Sequence, residues 1–415
     1  MYLSKEEEKI LDGESGTALQ NAMQILVAIG DIYGAERLIP ISSAHLLTSY
    51  KSHEIFGIEW IEGFVEKGAR AHPNVMVTTN PGSVDLERWR EMEVSEDLVR
   101  YQARLNECYI RLGAVPLSSC IPYLLGNIPL YGEHYSWSGS SGQVFANSVL
   151  GARGNREGGI QSVASAIVGK TPLYGLHLEE NRFGNVLVKL EGLDFKNLSP
   201  TDYAAIGYYV GKSIVDKIPV FVGGPNYMTL EQLRSIAYSV ATAGSVPMFH
   251  WVGVTPEAKT LEIAFGHQKP EEKLTVGLLE AKKTYEELTT TGKCKVDAVI
   301  FGCPHCTINE IKEIAFLLKG RRIRKDVKLW VGTSMQVREV AKRMGLTDII
   351  ERAGGMVIAD TCCGPSIPLE YVKSGIKVVA TNSIKTAFYV PGTCKADVIL
   401  LKTKDCIDLA VEEGG

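Results

Sequence analysis

Val296-Asp297-Ala298-Val299-Ile300, running into Phe301-Gly302-Cys303-Pro304-His305, is the stretch that decides the fold class of this chain. A short apolar run ends at a glycine and a group of polar and sulfur-bearing residues, and a helical pattern follows. The same order recurs three times downstream. Leu329–Val331 leads into Gly332-Thr333-Ser334, Met356–Ala359 into Asp360-Thr361-Cys362-Cys363-Gly364-Pro365, and Val378–Ala380 into Thr381-Asn382-Ser383-Ile384-Lys385. Short, continuous apolar runs of this kind are the signature of parallel strands buried on both faces of an α/β sheet. Open sheets of that class bind ligands at the carboxyl ends of their strands. The spacing therefore predicts that Cys303, Cys362, Ser383 and Lys385 share one rim of one sheet.

Upstream the pattern is also mixed α/β. The first thirty residues read as helical, with Leu19, Met23, Leu26 and Val27 on one face and Gly30 as a stop. Short apolar runs then alternate with amphipathic segments, without repeats or low-complexity stretches. The Lys- and Glu-rich segment from Gly266 to Lys295 reads as an exposed helical excursion at a lobe boundary.

The chain has 415 residues, of which 45% are hydrophobic and 22% charged, which is enough for two or three α/β lobes with a full core. Forty-four Lys and Arg against 48 Asp and Glu leave a formal charge of −4, and nothing points to nucleic acid or an anionic membrane. The charged opening MYLSKEEEKILDGESG is unlike a signal peptide, and no run approaches the roughly 18–20 apolar residues that span a bilayer. A cytoplasmic protein is expected.

Nine cysteines are an odd number in a chain of this kind, so metal binding or reactive thiols are the better questions than a disulfide framework. Cys108, Cys294, Cys394 and Cys406 have no motif around them and are assigned as small buried hydrophobes. Cys303-Pro304-His305-Cys306 has the C-x-x-C form. A redox pair would sit near a chain start in a compact βαβ unit, and zinc would want a second such pair or histidines at ligand spacing. A third alternative is an iron-sulfur cluster held by cysteines from separate loops, and Cys120, Cys303 and Cys362 can supply three thiolates.

Gly169-Lys170-Thr171 is not a phosphate loop, because Ala164 stands where that motif needs glycine. Trp137–Ser141 and Asn147–Gly159 are rich in glycine and polar donors. Arg153 or Arg156 there could clamp a carboxylate; equally, the segment could be a surface loop with a structural Arg–Glu157 pair. His45, His134, His177 and His250 sit among apolar residues as core histidines do, while His305, beside a candidate ligand, suits a supporting or substrate role.

With these segments laid out, the sequence resembles the aconitase X family over almost its whole length. The marks are Ser119-Cys120-Ile121-Pro122-Tyr123-Leu124, Gly132-Glu133-His134, Trp137-Ser138, Ala146–Arg153 and Gly175–Arg182. Phe249-His250, Gly253–Ala258, Gly302–His305, Asp360-Thr361-Cys362 and Asn382–Lys385 follow in the family's order. The resemblance implies an aconitase-like α/β architecture of several lobes, with mostly parallel sheets flanked by helices and an active site at strand ends between lobes. We expect an N-terminal region 1–205 with Cys120 and the Arg153 loop, a middle region 206–290, and a C-terminal lobe 291–415 with Cys303 and Cys362.

It further implies an iron-sulfur cluster on Cys120, Cys303 and Cys362, of the 4Fe-4S type or isolated as 3Fe-4S or 2Fe-2S. A small swivel domain carrying a catalytic serine completes the family's site. This chain is expected to end at the large portion, so that domain is expected as a partner subunit. The family's activities are dehydration of 5-phosphomevalonate and of cis-3-hydroxy-L-proline. On that analogy Lys385, Arg153 and His305 are candidate catalytic residues, and Ser49, Asn80, Pro81, Ser138, Ser140, Asn147 and Ser383 candidate substrate contacts. Two departures stand out: Leu47-Thr48-Ser49-Tyr50 is one residue short, and Gly139 stands where the family usually has glutamate. Asn80-Pro81 matches the phosphomevalonate branch. The rival from another class is a scaffold or regulatory subunit that has lost the chemistry.

Overall fold

A computed structural model describes residues 1–292, 295–364 and 375–412. The N-terminal region contains β1 (Leu38–Pro40), β2 (Ser43–Leu46), β3 (Met76–Thr79), β4 (Tyr135–Trp137) and β5 (Lys170–Pro172). Strands β3-β2-β4 form a parallel sheet, and β1 pairs with β5 antiparallel. The middle sheet is parallel in the order β8-β7-β6-β9, from β6 (Val186–Leu190), β7 (Pro219–Val222), β8 (His250–Trp251) and β9 (Glu272–Val276).

The C-terminal sheet holds β10 (Ala298–Phe301), β11 (Lys328–Thr333), β12 (Met356–Ala359), β13 (Val378–Thr381) and β14 (Asp397–Leu400). All neighbours are parallel, in the order β12-β11-β10-β13-β14. Alternation along β10 explains why its sequence is continuously apolar. Ala298 and Ile300 join one core, whereas Val299 and Phe301 join another beneath the helices Ile308–Leu318 and Thr403–Ala410. Each such Val, Ile or Phe, fully buried, is worth about 1.5–3 kcal/mol. The chain leaves β10 to build β11 and β12 on one side, then crosses to lay β13 on the other. The loops after β10 and β13 therefore diverge and open a crevice at the strands' carboxyl ends. The N-terminal sheet does the same around β2, with β3 and β4 on opposite sides.

The two rims are stitched together. Gly82 N–H donates to Asp360 O (2.8 Å), and Cys362 N–H donates to Gly82 O (3.0 Å). Asp85, 2% exposed, takes Arg338 Nη1 (2.9 Å) and Ala359 N–H (2.7 Å) on one carboxylate oxygen. Its other oxygen takes the N–H groups of Glu87 (2.9 Å) and Arg88 (3.1 Å). A buried charge so fully paired fixes one sheet against the other.

Three expectations change. Gly30 does not end a helix; the second helix runs Thr17–Ile32, and Gly30 lies inside it against the Met1 side chain, whose Sδ would stand 2.6 Å from a Cβ there. The segment from Gly266 to Lys295 is not one helical excursion: it contains β9, paired with β6 over five residues, before the helix Leu278–Leu288. Edge exposure explains its charge, since Glu272 and Lys273 face solvent. The boundary expected after residue 205 falls inside the helix Pro200–Ile214, and β6 already belongs to the middle sheet.

Candidate active site

A cleft of about 200 Å³ lies where the two rims meet. The end of β2 supplies Leu47, Ser49 and Ser52, that of β3 Asn80 and Pro81, and that of β4 Ser138 to Ser141. Across from them stand Cys303, Pro304 and His305 after β10, Cys362 and Cys363 after β12, and Lys385 and Tyr389 from the helix Ile384–Cys394 that follows β13.

Cys120 arrives on the same rim because its lead-in behaves as a further parallel segment. Val115 bridges Thr78 in parallel, and Ser118 and Ser119 N–H groups donate to Thr79 Oγ1 (3.0 Å) and Thr79 O (3.1 Å). Ser118, with φ of 45°, then turns the chain immediately before the cysteine, a backbone state costly for a non-glycine residue.

Burial pushes the Cys120 thiol up to about 11, partly countered by the His305 N–H that donates to its Sγ (3.2 Å). Burial, then the neighbouring Cys362, raise Cys303 well above the usual thiol range, and Lys385 pulls the other way. Gly364 leaves room for the Cys303 thiol, since a Cβ there would stand 2.4 Å from Sγ. Thiols grouped in this way ionise readily only against a bound cation. Among the described residues no three His, Cys, Asp or Glu could hold a single metal ion. Three thiols spread around one cleft fit a polynuclear centre, where each metal takes one protein ligand.

His305 is fully buried and engaged on every side. Its Nε2 lies 2.8 Å from Thr361 O, so that nitrogen carries the proton, and Nδ1 accepts from Ser119 Oγ (3.1 Å). Burial holds the ring neutral, lowered to about 4. Ser119 precedes Cys120 and Thr361 precedes Cys362, so this one side chain ties together the loops of all three cysteines. Both ring nitrogens are engaged by those bonds.

Lys385 Nζ donates to Ser141 Oγ (2.8 Å) and lies 3.5 Å from Ser140 Oγ, across the rim. Ser49 caps the helix Tyr50–Glu66 through its backbone alone, because its Oγ pairs with Ser83 Oγ (2.7 Å).

Three expected residues lie elsewhere. Arg153 pairs beside the start of β4, by Tyr135 N–H to Arg153 O (3.0 Å), so it sits at the opposite end of that strand from Ser138. There it reaches Glu179 (3.4 Å) in a separate cavity with His250 and Lys259. Asn147 is wholly buried with its amide consumed by Tyr135 Oη, Gly154 N–H, Gly154 O and Pro247 O. Ser383 caps the helix Ile384–Cys394 and donates to Cys303 O; it fixes the cysteine loop from behind.

Arg156 caps carbonyls of Ala241 and Gly244. Glu157 pairs with the hydroxyls of Ser136 and Thr171, not with an arginine. His45, His177 and His250 are buried, Cys108, Cys394 and Cys406 likewise, and Cys294 lies outside the described residues. Sequence reasoning missed Ser52, Ser141 and Tyr389. The helical spacings Ser49–Ser52 and Lys385–Tyr389 were the available signal.

Comparison with known proteins agrees with this geometry. Residues 1–180, 184–286 and 296–412 match the aconitase X first, second and third domains. The phosphomevalonate dehydratase large subunit of Methanocaldococcus jannaschii is 44% identical over 96% of this chain and 97% of that protein. The cis-3-hydroxy-L-proline dehydratase of Pseudomonas aeruginosa is 35% identical over 98% of this chain but only 69% of its own length. The solved structure of Thermococcus kodakaraensis aconitase X (holo-form) superposes with a TM-score of 0.88 at 39% identity, covering 99% of this chain and 100% of that one. Matched in all three domains and over nearly every residue, this chain belongs to the aconitase X family.

Proposed function

We propose that the chain is the large subunit of a hydro-lyase that dehydrates (R)-5-phosphomevalonate to trans-anhydromevalonate 5-phosphate. The observation that carries this reading is one cleft lined by Cys120, Cys303, Cys362 and Lys385, in a chain whose archaeal relatives are named phosphomevalonate dehydratase large subunit. Cys120, Cys303 and Cys362 would hold an iron-sulfur cluster. When bound through three thiolates, such a cluster supplies an open Lewis-acid position for a hydroxyl, an otherwise poor leaving group.

The chain's own residues bind and orient. Lys385, braced by Ser141, places an ammonium over the cleft for an anionic oxygen of the substrate. Asn80 and the Ser138–Ser140 rim present polar groups from the facing lobe. His305 keeps the cysteine loops in register without exchanging a proton. The base that takes the substrate's C–H proton is assigned to a serine of a small partner subunit, which the relatives' "large subunit" names imply. Among the described residues no helix is long and apolar enough to cross a membrane, and we assign the reaction to the cytoplasm.

The deciding experiment is anaerobic co-expression with the small subunit, followed by assay of phosphomevalonate and cis-3-hydroxy-L-proline side by side. Turnover of the first is expected. Turnover of the second alone moves the assignment to the hydroxyproline branch, and turnover of neither by a fully iron-loaded complex favours the scaffold reading.

A further inference from the structure

Arg153 and the segment 253–258, both singled out by sequence and both unused in the cleft, meet in a second cavity of about 210 Å³. It lies away from the cleft, since Arg153 stands beside the start of β4 and Ser138, after its end, lines the cleft. Tyr131, Arg153 and Glu179 reach it from the N-terminal region, and Glu257, Lys259 and Ile263 from the middle one.

The charges around this second cavity do not balance. Arg182 and Glu257 close on each other: the guanidinium donates through Nε (2.9 Å) and Nη2 (2.7 Å) to the carboxylate, and it also donates to the carbonyls of Leu176, Asn147 and Ala152. That leaves Arg153 and Lys259 facing one carboxylate, Glu179. Arg153 reaches it at 3.4 Å, long for a charge-assisted bond, and the Glu179 side chain is 73% exposed. An ion pair so long and so well hydrated contributes little. Among the described residues the Lys259 ammonium has no hydrogen-bond or ion-pair partner. The surplus is felt nearby. Burial, then His177, lower His134 to about 4, and the charges of Arg153 and Arg182 push the same way.

We infer that this cavity is a binding site for a small organic carboxylate, with its head on Arg153 and Lys259 and its hydrocarbon body against Tyr131, Phe183 and Ile263. Arg153, Arg182 and Lys259 against Glu179 and Glu257 leave one positive charge, which a carboxylate neutralises. A phosphate monoester, at about −2 near neutral pH, overshoots. The planar fork of Arg153 matches two carboxylate oxygens, and Lys259 adds a point charge. Tyr131 and Ile263 are exposed apolar side chains beside these cations, a lining that suits an organic acid better than a bare ion. The volume falls below the roughly 300–1,000 Å³ of pockets for drug-sized molecules, so the acid is small. Glu179, loosely held, gives way to it. The ligand then ties the N-terminal region to the middle one.

Proton NMR of benzoate titrated against the full chain tests this, with Lys385→Met as the background so that the cleft's own cation is gone. One saturable site of about 1 mM or tighter is expected. Arg153→Met and Lys259→Met should each weaken it by about ten- to hundredfold, as loss of a charged hydrogen bond does. Glu179→Gln should tighten it about two- to fivefold by removing the competing carboxylate, a gain that no misfolded variant mimics. Inorganic phosphate should compete at least about tenfold less well, because it lacks the hydrocarbon body and carries the larger charge. Absence of saturable binding, or binding within twofold of the background in both methionine variants, overturns the inference. Phosphate matching benzoate overturns the carboxylate assignment. Loss of benzoate on adding the small subunit also overturns it, since the cavity then belongs to the interface between subunits.

Discussion

Replacing His305 with alanine should loosen the three cysteine loops at once. The imidazole makes two buried hydrogen bonds, to Thr361 O (2.8 Å) and from Ser119 Oγ (3.1 Å). Each is worth about 0.5–1.5 kcal/mol, and the stranded carbonyl and hydroxyl cost about 1–3 kcal/mol more in lost hydration. Because the site is fully buried, water does not replace the ring freely. A local loss of roughly 3 kcal/mol follows, equivalent to about a hundredfold rise in the open fraction of the loops. Amide hydrogen exchange of the metal-free chain reads this directly: segments 118–121, 303–306 and 361–363 should exchange about a hundredfold faster. In the loaded protein, iron loss to a chelator should accelerate by a similar factor. Unchanged exchange and iron retention, with kcat alone reduced, would refute the positioning role and return His305 to the catalytic group.

Three other outcomes are expected. Glu157, fully buried, is raised to about 8 from the ordinary 4.5 of a carboxyl group by loss of hydration, with Ser136 and Thr171 opposing. Between those values the unfolded chain releases this proton while the folded one keeps it, so stability falls as pH rises from about 5 to 8; Glu157→Gln should remove that part of the slope in urea-midpoint measurements. Arg234 is buried, pairs with Glu310 and donates to His305 O (2.8 Å). Arg234→Met should therefore cost about 3 kcal/mol in unfolding experiments, and Arg234→Met/Glu310→Met should recover part of it. Lys385→Met should raise KM about ten- to hundredfold, as befits a lost charged hydrogen bond, with unchanged circular dichroism; a KM within twofold would remove Lys385 from the binding site.

The C-terminal sheet was the legible part of the sequence because its strands are buried on both faces. Short apolar runs at 298–300, 329–331, 356–359 and 378–380 became β10 to β13, and Cys303, Cys362 and Lys385 stand on the rim that spacing assigned them. Edge strands were harder to read: β9 carries exposed Glu272 and Lys273 and so resembles a charged helix. Gly30 misled because it lies inside the helix against Met1, a contact that no local pattern records.

Cys303, Asn80 and Ser138, on loops directly after strands, line the cleft, whereas Arg153 and Asn147, placed by the tertiary path of the chain, do not. Arg153 lies close to Trp137 in sequence, yet the chain returns to the start of β4 before reaching it, which puts the guanidinium at the far end of the sheet. Asn147 looked like a ligand donor because its four hydrogen bonds are to distant or irregular backbone and a tyrosine, invisible without coordinates. Ser383 caps a helix, a role that its position before Ile384–Cys394 suits as well as substrate contact.

The central claim is that Cys120, Cys303 and Cys362 act together as ligands while the adjacent Cys306 does not. Iron and acid-labile sulfide should be counted in anaerobically purified protein and in the four single Cys→Ser variants. Iron with matching sulfide in the unaltered protein and in Cys306→Ser, and loss of both in the other three, is the result this account expects. Iron and sulfide retained in Cys120→Ser, Cys303→Ser or Cys362→Ser, or stoichiometric zinc in their place, would contradict it.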